Sequence, residues 1–135
     1  MFSKKQVKSL ANEAHIEFSK KHKVFCQISM VSLDKFWKLA KKSPLIKDEI
    51  KRKIPLKVGA LVVHGEEELI FLNEDIMNNL KDNPEFVKAI VFHELCHVFL
   101  KNKVMGRDLK EEVKSENRVD LMMKEEFPKY VKYFV

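Results

Sequence analysis

The stretch Ile90-Val91-Phe92-His93-Glu94-Leu95-Cys96-His97-Val98-Phe99 decides how this chain is read. Apart from the two histidines and Glu94 it carries no charged residue and is mostly apolar. A surface helix shows a polar side. This segment is apolar nearly all round, so a buried central helix is expected. Residues four apart share one face of a helix, so His93 and His97 point the same way. Glu94 lies about a quarter-turn round from His93. Unpaired polar groups are costly in such a place, and a metal ion shared by the histidines would satisfy them. Two imidazoles and an adjacent carboxylate are the parts that bind zinc and activate a water at neutral pH.

A catalytic zinc site takes three protein ligands and keeps a fourth position open. The five histidines are His15, His22, His64, His93 and His97, so none follows the motif. Among the downstream carboxylates Glu116 is the strongest candidate. It lies nineteen positions after His97, within a helical pattern of Val113, Val119, Leu121, Met122 and Met123. Asp120 follows at i+4, on the same face. A metal-bound histidine usually donates its other N–H to a carboxylate or carbonyl, and Asp120 could accept that bond from His93. The bland reading of Glu116 and Asp120 is a solvated acidic face beside Lys110, Lys114 and Arg118.

His93-Glu94-Leu95-Cys96-His97, followed by Glu116-Asn117-Arg118-Val119-Asp120, resembles the gluzincin zinc metallopeptidases, the thermolysin-like group. In size the chain is similar to the minigluzincins and to the soluble catalytic cores of HtpX-like peptidases. The resemblance spans about residues 55 to 125; the first fifty residues carry no motif. It implies one zinc per chain held by His93, His97 and Glu116, with Glu94 as general base and Asp120 bracing His93. It implies hydrolysis of peptide bonds in peptides or unfolded proteins. It also implies a zincin-like α+β fold: a small, mostly antiparallel sheet packed on helices, a central motif helix and a following glutamate-bearing helix. A strand just before the motif helix would form the rim of the cleft, where a peptide adds by backbone hydrogen bonds. Such sites often add a Tyr or His oxyanion donor, for which Tyr130, Tyr133 and His64 are available. Two alternatives stay open. One is a non-catalytic zinc-binding regulatory or interaction domain. The other is a DNA-associated protease resembling the SprT group, although that group uses a third histidine.

With 135 residues, 45% of them hydrophobic, the chain is expected to form a single domain over residues 1–135. It has no apolar run of the length, about eighteen residues, that suggests a membrane span, and its first residues lack an apolar signal core. A cytoplasmic protein without a membrane partner is therefore expected. Cys26 and Cys96 suggest no disulfide framework, and Cys96 reads as packing. The net charge of +6 comes mainly from scattered lysines. Without a finger, ribbon or Arg-rich segment, a solvated surface is favoured over nucleic-acid binding. Abundant Lys and Glu with little Gln fits a thermophile.

Along the chain, helical spacing predicts a helix from Ser3 to about Lys20. Val24 to Val31 reads as a strand and Asp34 to Lys42 as a short helix ended by Ser43-Pro44. Leu45 to Lys57 is basic and irregular. Val58 to His64 and Glu67 to Leu72 form a hairpin around His64-Gly65-Glu66. A short helix, Glu74 to Leu80, precedes the motif helix, which runs from Pro84 to about Lys101. Gly106 marks a turn before the Glu116 helix, and Pro128 ends that helix. The aromatic tail, residues 129–135, suits either docking on the domain or filling a cleft. Latency and self-association through this segment are therefore expectations to be tested; C-terminal latency is a feature of the minigluzincins.

Overall fold

A computed structural model describes residues 4–24, 26–40, 60–63, 68–73, 83–100 and 109–134. The elements are α1 (Lys4–Ser19), β1 (Cys26–Val31), α2 (Leu33–Ala40), β2 (Ala60–Val63), β3 (Glu68–Asn73), α3 (Pro84–Leu100), α4 (Leu109–Glu126) and α5 (Pro128–Val131), followed by a 3-10 turn (Lys132–Phe134). The irregular segment Leu45 to Lys57, the helix expected at Glu74 to Leu80, the His64-Gly65-Glu66 turn and Gly106 lie outside the described residues.

Helix α3 is the hub. Asn83 caps it by accepting a hydrogen bond from the Phe86 N–H at 3.3 Å, and Pro84 occupies the first turn, where its missing N–H loses no helical bond. Val87, Ala89, Ile90, Val91, Phe92, Leu95, Cys96 and Val98 are all buried, as its apolar circumference predicts. Full burial of each larger aliphatic or aromatic side chain contributes roughly 1.5–3 kcal/mol. Helix α1 packs along it through Val7, Ala11, Ala14 and Phe18, the inward positions of a 3.6-residue period. The Phe18 ring meets Phe127 at 5.3 Å and Phe92 at 5.8 Å, which draws the start of α5 into the same core. On α4, Val119, Met122 and Met123 face inward, and the Cys96 thiol meets the Met123 sulfur at 3.6 Å. His22 and Glu126, 2.6 Å apart, tie the end of α1 to the end of α4.

The sheet corrects the expected fold class. Its order is β1-β3-β2, with β3 in the centre. β2 pairs antiparallel with β3 (Ala60↔Leu72 to Val63↔Leu69), but the longer ladder, β1 with β3, is parallel (Cys26↔Glu68 to Val31↔Asn73). The sheet is therefore mixed, and among the described residues helical ones far outnumber those in strands. Local alternation cannot announce this, because it identifies strands and not their partners; β1 reaches β3 only after α2 and β2 have intervened. β3 also cannot be the rim strand expected from the resemblance, since both its edges are already paired. β2 is the strand that lies against α3. Ile70 and Leu72 of β3 point into the core shared with α1 and α3.

The tail folds onto this core. Tyr130 is 1% exposed and stacks on Phe92 at 4.6 Å, and Tyr133 packs on Phe86 at 5.2 Å. Among the described residues, no helix is long and apolar enough to cross a membrane.

Candidate metal centre

His93 and His97 sit one turn apart on α3, their rings 5.1 Å apart and steeply inclined at 74°. Helix α4 crosses opposite them and delivers Glu116. One carboxylate oxygen, Oε2, lies 3.1 Å from His93 Nε2; the other, Oε1, lies 3.0 Å from His97 Nε2. One donor atom from each of the three residues lies within 4.8 Å of the others, so the group could hold a metal ion. The donor set fits such a role. Two imidazole nitrogens and one carboxylate leave a tetrahedral ion its fourth position, and donors around zinc at roughly 2.0–2.2 Å are themselves roughly 3.3 Å apart. The observed nitrogen–oxygen separations are close to that spacing.

The charges are strongly coupled. Burial alone would raise the Glu116 carboxyl, but hydrogen bonds and positive charge from His93 and His97 outweigh it and hold the group far below the usual carboxylate range. Burial alone would lower His93. The hydrogen bond to Glu116 and the negative charges of Glu94, Glu116 and Asp120 win instead and raise it to about 9. Glu94 is buried beside the histidines, and burial raises its pKa against the opposing charges of His93 and His97. A carboxyl pushed towards neutrality takes up a proton more readily than an exposed one.

The structure brings together His93, His97 and Glu116, with Glu94 adjoining them on α3. Asp120 is exposed on α4, one turn after Glu116, and acts on His93 through its charge. The Tyr130 hydroxyl donates to Glu17 Oε2 at 3.5 Å, and the Tyr133 ring lies on Phe86. His64 lies outside the described residues. His15 donates to the Val24 carbonyl at 3.0 Å, and His22 pairs with Glu126. The buried Cys96 thiol is pushed up to about 12, first by burial and then by the charges of Glu126 and Glu94, which makes it an inert packing group. One residue escapes the sequence reading: Ser115, whose Oγ lies 3.3 Å from His97 Nδ1.

No family model matches the chain, and neither a curated protein nor a solved structure matches it. The zincin-like fold expected from the motif is thus not identified by likeness to any known structure, and the site stands on its own geometry.

Proposed function

We propose that this chain is a zinc-dependent metallopeptidase of gluzincin type, with His93, His97 and Glu116 as zinc ligands. The observation that carries the reading is the convergence of those three donors between two packed helices, with the buried carboxyl of Glu94 beside them. When bound, zinc would supply Lewis acidity, drawing the pKa of a water towards about 7 and polarising a carbonyl. Glu94 takes the proton of the attacking water and returns it to the leaving amine. Asp120 steadies His93 through its negative charge. A peptide or unfolded segment lies along β2, the strand nearest α3, and pairs with it through backbone groups.

Tyr130 is assigned to the fold and not to the chemistry, because its ring is in the core and its hydroxyl is on Glu17. A cytoplasmic setting goes with this reading, since the buried Cys96 is an unbridged thiol and suits a reducing compartment. The test is cleavage of a mixed peptide library by the zinc-loaded protein. Turnover by wild type and none by Glu94→Gln is expected; equal turnover by both would remove Glu94 from its role.

A further inference from the structure

Neighbouring residues of α4 hold the second motif histidine at both ring nitrogens. Glu116 Oε1 lies 3.0 Å from His97 Nε2, and Ser115 Oγ lies 3.3 Å from Nδ1. Ser115 is only 5% exposed. It falls on the inward stripe of α4, four residues before Val119 and seven before Met122, where an apolar side chain is the usual occupant. A hydroxyl in that place is worth its desolvation only when it is hydrogen-bonded.

The chemistry at His97 needs a partner that can both give and take. With Glu116 accepting from Nε2–H, Nδ1 carries either a lone pair, to which Ser115 Oγ–H can donate, or a proton, which Ser115 Oγ can accept. When Nε2 gives its lone pair to a metal, the ring proton sits on Nδ1 and needs an acceptor. A serine hydroxyl meets both demands by rotating about its Cβ–Oγ bond, with no movement of the helix. A carboxylate at the same place could only accept.

We propose that Ser115 is a positioning residue of the metal centre: its hydroxyl braces His97 through Nδ1 in the metal-free and metal-loaded states alike, so that Ser115 and Glu116 together fix which nitrogen faces the metal. This inference rests on the metal-site reading above.

The test compares wild type, Ser115→Ala and Ser115→Thr. Zinc affinity is measured by competition with a chelator. Nitrogen-detected NMR of the zinc-loaded proteins reports the His97 Nδ1–H and its exchange with water. The expected result is zinc binding weakened roughly 10–100-fold in Ser115→Ala, with largely restored affinity in Ser115→Thr. In wild type the Nδ1–H should exchange slowly, and in the alanine variant quickly. Melting curves of the metal-free variants separate a merely structural serine, which would change stability without changing Nδ1–H exchange. Equal zinc affinity and equal exchange in wild type and Ser115→Ala overturn the brace while leaving the metal centre intact. Failure of wild type to bind zinc overturns the metal centre, and the brace with it. Should the alanine variant not fold, the wild-type spectrum decides: a slowly exchanging Nδ1–H supports the brace, and zinc bound through Nδ1 overturns it.

Discussion

Glu116 reaches both motif histidines at once, and its contact with His93, 3.1 Å between Oε2 and Nε2, joins α4 to α3 at the centre of the site. This carboxylate is therefore a strut between the helices and one of three groups that could hold a metal ion. Glu116→Gln keeps the shape and removes the charge. Zinc affinity should fall by more than the roughly 10–100-fold typical of a supporting residue. Chelator competition measures it, and a loss of less than tenfold would exclude Glu116 as a ligand.

The same pair makes the metal-free protein sensitive to pH. His93 is raised from 6.5 to about 9 in the fold, so its contribution is complete below about pH 6.5 and is lost as pH rises through 9. Glu116 is lowered from 4.5, so its contribution is complete above about pH 4.5 and is lost as pH falls further. The pair thus stabilises most between those limits. Metal-free protein should melt several degrees lower at pH 9 than at pH 6, for a loss of at most about 3 kcal/mol. Glu116→Gln should flatten that difference. A melting temperature that rises from pH 6 to 9 in wild type and variant alike would contradict the pairing. Zinc binding at this site would reverse the preference, because it would have to displace the proton on His93.

Asp120 acts from the surface. Its charge raises His93, but water around an exposed carboxylate weakens that influence. Asp120→Asn should lower zinc affinity about tenfold, at the small end of the range for supporting groups. Unchanged affinity would show that its charge has no part in holding the metal.

Tyr130 separates folding from chemistry. Tyr130→Ala removes a ring that is 1% exposed and stacked on Phe92, and should cost about 3–5 kcal/mol. Tyr130→Phe gives up the contacts of the hydroxyl with Glu17 and Lys129, and should cost about 1 kcal/mol. Turnover by Tyr130→Phe should match wild type. Its loss, with zinc still bound, would return the phenol to the active site. Deleting residues 129–135 should destabilise the protein for the same reason, and a stable, more active product would restore a latent role for the tail.

The helices α1, α3 and α4 and the shared face of the two motif histidines were readable in the sequence because they rest on local spacing. Val7, Ala11, Ala14 and Phe18 mark the buried face of α1, and His93 and His97 declare their common direction through a separation of four. The hairpin of β2 and β3 was readable too, but not the whole sheet, because the parallel pairing of β1 with β3 joins segments some forty residues apart and leaves no local signal. Glu116 could be picked from seven carboxylates because it lies in a helical pattern with Asp120 one turn on. Ser115 carried a signal that went unused: it shares the inward stripe with Val119 and Met122, where a hydroxyl is out of place unless something polar faces it. The stacking of Tyr130 on Phe92 and the packing of Tyr133 on Phe86 are contacts that no local spacing announces.

The central claim is that one zinc on His93, His97 and Glu116 works with Glu94 to cut peptides. The most direct measurement is a zinc titration of metal-free wild type and Glu94→Gln, following bound zinc and peptide cleavage in the same samples. Both proteins should take up one equivalent, and cleavage by wild type should rise in step with it while Glu94→Gln stays inactive. Cleavage that is independent of zinc, or equal in the two proteins, would contradict the claim.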